Sequence, residues 1–142
     1  MADHFSDFIR ELVRRRASQR CEYCLIHEYT QAAAFHIDHC IPINKGGAAE
    51  VNNLALACPH CDRQKWDSTH GRDLISNQNA PIFRPRIESW NNHFCFEGFV
   101  VVGISPTGRV TVELLKLNHP PKVRIRQIEE TLGLFPPISE NL

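Results

Sequence analysis

Near the start of the chain, Phe5, Phe8, Ile9, Leu12 and Val13 recur at helical spacing. The pattern predicts an amphipathic helix over about residues 2–18. Arg14, Arg15 and Arg16 crowd its end, where positive charge suits the helix dipole. Two readings fit these arginines, a solvated helix end or contacts to phosphate. Residues 35–41 read as a short strand, Gly46-Gly47 as a turn or loop, and the stretch after Cys61 as a helix. Residues 81–88 form an irregular connector, broken by Pro85. Farther on, residues 94–104 and 109–115 are rich in β-branched and aromatic types and predict two strands. Turn chemistry in Ser105-Pro106-Thr107-Gly108 would join them into a hairpin. Val110, Val112 and Leu114 alternate with Arg109, Thr111 and Glu113, as on a half-buried strand. A last helix is predicted over about residues 122–132, stopped near Gly133.

Composition narrows the class without naming the chemistry. A chain of 142 residues suits one domain, and its hydrophobic fraction of 42% is ordinary for a globular protein. Lys plus Arg equals Asp plus Glu, 16 against 16, which argues against coating nucleic acid by bulk charge alone. Local basic patches remain: Arg14 to Arg16, Arg63, Lys65, Arg84, Arg86, and Lys122 to Arg126. The first residues have neither the basic nor the apolar region of a signal peptide, and no apolar run reaches membrane-helix length. The expectation is a protein of the reducing cytoplasm, where cysteines serve metals better than disulfides.

Four of the six cysteines fall in two knuckles, Cys21-x-x-Cys24 and Cys58-x-x-Cys61. Four thiolates so spaced can close a tetrahedral zinc site, with sulfur about 2.3 Å from the metal. Such a site has no open coordination position, so this zinc is expected to be structural and to tie together the ends of the insert. Cys40 and Cys95 lack a knuckle partner and read as small buried apolar residues.

The insert carries Phe35-His36-Ile37-Asp38-His39-Cys40-Ile41-Pro42, then Gly46-Gly47, then Asn52-Asn53-Leu54. Cys58-Pro59-His60-Cys61-Asp62-Arg63-Gln64-Lys65 comes next. This series resembles the HNH endonuclease pattern, in the subgroup whose CxxC knuckles frame D-H-x-I-P, G-G, N-L and C-x-x-C-N-x-x-K. The resemblance covers about residues 20–67. The tail also resembles the segment C-terminal to this motif in bacterial members of the subgroup, through Phe83-Arg84-Pro85-Arg86, Trp90, His93-Phe94, Gly98, Thr107-Gly108-Arg109 and Leu117-Asn118.

The resemblance implies an α+β fold: a zinc-stapled ββα-metal core over about residues 20–70, with an N-terminal helix. The C-terminal extension, about residues 82–142, would add a β-hairpin and a helix within the same domain. It further implies His39 as the general base on water, with Asn53 orienting it. Asp38 and Asp62 would ligate a divalent cation, magnesium or manganese. Asp62 departs from the pattern, which usually has His or Asn there. The chemistry agrees with these roles. An imidazole, with an ordinary pKa of about 6.5, can take a proton from water near neutrality. A hard cation held by oxygen ligands offsets charge on the phosphorane and the leaving oxygen. Arg63, Lys65 and His36 are candidate nucleic-acid contacts, and His60 is expected to face solvent. The expected partner is nucleic acid, DNA ahead of RNA, with no membrane. The competing reading is a zinc-containing nucleic-acid-binding module without catalysis.

Overall fold

The computed structural model describes residues 5–142. Helix α1 spans Asp7–Arg16; Ser6 caps it, its Oγ accepting from Ile9 N. The earlier part of the expected helix, residues 2–4, lies outside the described residues. Val13 is fully buried and Phe5 and Ile9 pack beside it, whereas Phe8 and Leu12 are exposed. The chain then reverses through Ser18 and Gln19 at positive φ into the first cysteine knuckle.

Strands β1 (His36–His39) and β2 (Leu54–Ala57) pair antiparallel, with His36 opposite Ala57 and His39 opposite Leu54. All four residues of β2 are buried, because α1 and the following helix both pack on it. That helix, α2 (Pro59–Lys65), starts at the second knuckle with Cys58 as its cap and Pro59 in its first turn. Between the strands, Gly46 takes a φ of +89°. A Cβ on Gly47 would lie 1.8 Å from Ile41 O, so the loop closes on β1 only with glycine there.

Two further hairpins come after α2. One joins β3 (His70–Asp73) to β4 (Gln78–Pro81), and the other joins β5 (Phe94–Glu97) to β6 (Val100–Gly103). Helices α3 (Pro106–Leu115) and α4 (Pro120–Thr131) complete the chain. The α+β class, the cysteine staple and a C-terminal hairpin with a helix are all present.

Three local expectations are corrected. The expected first hairpin strand, residues 94–104, is itself a whole hairpin, turned at Gly98 with φ +61°. Residues 109–115 are helical. Ser105 is the cap, its Oγ accepting from Gly108 N at 2.9 Å, and Pro106 opens the helix instead of a turn. Its inward side is Thr107, Val110, Thr111 and Leu115, a helical spacing that the shorter two-residue alternation had masked. Finally, α4 begins at Pro120, because proline fits the first turn of a helix.

Candidate active site and metal centre

The four knuckle cysteines are buried, and their sulfurs all lie within 4.8 Å of one another. Cys24 Sγ and Cys58 Sγ are 3.8 Å apart. A tetrahedron with metal–sulfur arms of about 2.3 Å has edges of about 3.8 Å, so the residues fit a four-thiolate metal site. Among the described residues this is the one cluster of three or more such side chains that could hold a metal ion. Cys40 is buried as expected, and burial, then the Asp38 carboxylate, pushes its thiol up to about 11. Cys95 is half-buried on β5.

The other candidate residues gather where β1 meets α2. Side chains alternate along β1, so His36 and Asp38 face the helix while Ile37 and His39 point the other way. His36 Nδ1 lies 2.8 Å from Asp62 Oδ2, and both side chains are substantially exposed. Asp38 is buried, and its Oδ2 accepts from the Tyr23 hydroxyl at 2.7 Å. Lys65 Nζ stands 3.1 Å from the same oxygen and donates to His39 O at 3.1 Å. Burial pushes the Asp38 carboxyl up, Lys65 and the Tyr23 hydrogen bond pull it down, and the nearby Asp62 charge adds to the rise. The His39 ring packs against Phe5, with centroids 5.6 Å apart.

Asn53 is buried beneath this strand end. Its Oδ1 accepts from Ile41 N, and its Nδ2 donates to Ile41 O and Ala48 O, each at 2.9 Å. Its backbone carbonyl also accepts from Cys40 N at 2.8 Å. The side chain therefore clamps the backbone two residues beyond His39 and holds the loop against β1.

Several charged residues are not where surface contacts would need them. Lys65 is 1% exposed and committed to Asp38, so it does not face a phosphate. Only Arg63 of the α2 pair is exposed. Arg16 donates to Val51 O and Leu54 O, Arg14 pairs with Glu28, and Arg86 pairs with buried Glu22. Lys122 and Arg126 are buried. His60 is half-buried: its Nε2 meets Leu115 O at 2.9 Å and its ring stacks on His119, joining α2 to α3. Tyr23 was not singled out in the sequence. Its place two residues after the first knuckle cysteine was the available signal, but nothing local ties it to Asp38.

A cleft of about 520 Å³ lies apart from these residues, bordered by Arg20, Glu22, Trp90 and Leu134. The β1–α2 residues themselves sit at an open face, with side-chain exposure of 52% for His36 and 36% for Asp62. An open face suits a polymer better than an enclosed small molecule.

No solved structure matches the chain. The Septu protein PtuB of Bacillus thuringiensis is 24% identical over 114 residues, covering 79% of this chain. The chain spans 42% of the length of that curated relative. Residues 21–68 match the family model described as HNH endonuclease, the same span that holds both knuckles, the β1–β2 hairpin and α2. By motif order and by this match, residues 21–68 are similar to the HNH endonuclease family.

Proposed function

We propose that the chain is a metal-dependent HNH endonuclease that hydrolyses phosphodiester bonds in nucleic acid, DNA ahead of RNA. The observation that carries this is the placement of Asp38 and His39 side by side on β1, which packs on α2 where Asp62 lies, inside the family-matched segment. Asp38 and Asp62 are the hard-oxygen ligands for one magnesium or manganese ion, and Cys21, Cys24, Cys58 and Cys61 hold a structural zinc. When bound, the divalent cation supplies charge stabilisation on the phosphorane and the leaving oxygen. His39 takes the proton from water as its oxygen bonds to phosphorus and the ester oxygen departs. Asn53 holds the strand end that carries His39. His36 orients the Asp62 carboxylate. Arg63 is the exposed guanidinium on α2 for a neighbouring phosphate.

One observation favours the alternative, a zinc module that binds nucleic acid without cutting it. The Asp38 carboxylate is already engaged by Tyr23 and Lys65, so metal binding there has to compete with a buried ammonium. The two readings part in one assay. The protein and His39→Ala are incubated with plasmid, single-stranded DNA and RNA under Mg²⁺, Mn²⁺ or EDTA. The nuclease reading expects metal-dependent cleavage that falls about 10²–10⁴-fold in His39→Ala with nucleic-acid affinity kept. Binding without cleavage under every metal condition supports the alternative instead.

A further inference from the structure

Lys122 lies in the first turn of α4 and is 4% exposed. An ammonium so buried is costly unless something negative meets it. Among the described residues no carboxylate pairs with it. Its Nζ lies 2.7 Å from Cys58 Sγ and 3.4 Å from Cys24 Sγ. One helical turn later Arg126, 1% exposed, donates to Leu117 O at 2.8 Å and reaches Cys24 O at 3.4 Å. Four thiolates around one divalent ion leave a net charge of −2. Lys122 and Arg126, at i and i+4 on one side of α4, bring +2 to the same place.

We propose that Lys122 is a positioning residue of the four-thiolate metal centre. Its ammonium donates to the Cys58 and Cys24 sulfurs and offsets their excess charge. Docking of α4 and retention of the metal thereby become one linked equilibrium. The proposal rests on the zinc reading of the cysteine cluster and is independent of catalysis. It explains why a lysine in the C-terminal extension is buried 98 residues away from the first knuckle in sequence. It also divides the four sulfurs into two kinds: Cys24 and Cys58 are hydrogen-bonded to a cation, and Cys21 and Cys61 are not among its acceptors.

The test uses the full chain as parent, Lys122→Met, Lys122→Arg and, as a control on the exposed side of α4, Arg124→Met. Each is loaded with Co²⁺ for spectroscopy and with Zn²⁺ for transfer to a chromophoric chelator. Without the ammonium the sulfurs are more electron-rich, so the thiolate-to-cobalt charge-transfer band of Lys122→Met should move to longer wavelength. Its metal affinity should fall about 10–100-fold, the usual effect of losing an outer-sphere partner. Lys122→Arg should stay closer to the parent, and Arg124→Met should match it. A Lys122→Met protein with parental band and transfer rate overturns the proposal. Should Lys122→Met not fold, the zinc-loaded parent decides alone: under limiting iodoacetamide, mass spectrometry should find Cys21 and Cys61 alkylated before Cys24 and Cys58. The reverse order overturns the proposal. A parent that takes up neither metal removes the zinc reading beneath it.

Discussion

At the scale of single residues, the informative feature is a buried ion pair that has exchanged a surface role for an internal one. Lys65 is almost fully enclosed, and its ammonium answers both the Asp38 carboxylate and the His39 carbonyl. Removing one member of such a pair leaves an uncompensated buried charge, which typically costs about 3–5 kcal/mol. Lys65→Met, close in shape and without charge, is therefore expected to lower unfolding free energy by about that amount in urea, measured without added magnesium. Adding Asp38→Asn should restore part of the loss, because the orphaned charge is then gone. A Lys65→Met protein as stable as its parent would mean that the pair does not hold β1 to α2.

At the scale of elements, helix α3 is tied to the β3–β4 hairpin through one carboxylate. Arg109 Nε and Nη2 donate to the two oxygens of Asp73, each at 2.9 Å, and Ser76 Oγ donates to Oδ2 at 2.6 Å. The Arg109 guanidinium, with the Ser76 hydroxyl behind it, holds the Asp73 carboxyl well below the usual carboxylate range. A depressed folded-state pKa adds stability above the unfolded value of about 3.9, and that stability disappears as pH falls through the folded value. Asp73→Asn should therefore melt below the parent at pH 7. The gap should hold down to about pH 4 and close only in stronger acid. Thermal melts of both proteins across pH test this, and a gap already changing between pH 7 and 5 would assign the dependence to another group.

For the whole molecule, the cysteine cluster is a junction and not a local clasp. It joins the first knuckle to the start of α2, and Lys122 of α4 closes over it from the extension. Trp90 Nε1 donates to Tyr23 O at 3.0 Å, so the segment just before β5 hangs on the first knuckle as well. Stripping the metal should accordingly loosen far more than the knuckles. Near-UV circular dichroism reads this directly, since Tyr23 and Trp90 are buried while Trp66 is exposed. Treatment with a strong chelator should abolish the near-UV signal, and restoring zinc should return it. Metal loss confirmed by elemental analysis with the near-UV spectrum unchanged would show that the core stands without the staple. Among the described residues no helix is long and apolar enough to cross a membrane.

The candidate chemistry was legible in the sequence because its spacing is local. Two CxxC pairs, an Asp-His dipeptide on a short strand and an Asp after the last knuckle cysteine keep their meaning wherever the strands lie. The Gly46-Gly47 pair was legible as a turn for the same reason. Residues 105–115 were not, because over so short a run alternate residues and helical positions overlap. What makes them helical is a serine cap and the surfaces of β3 and β6 on which they pack. Nor could the chain alone say which cations are surface cations. Lys65, Lys122 and Arg126 look like any other basic residues in one dimension. Each became internal because folding brought it against negative charge or orphaned carbonyls from distant segments: Asp38, the knuckle sulfurs, and the Phe99 and Leu117 oxygens. Burying an ion is favourable only beside such partners, and only the tertiary structure supplies them.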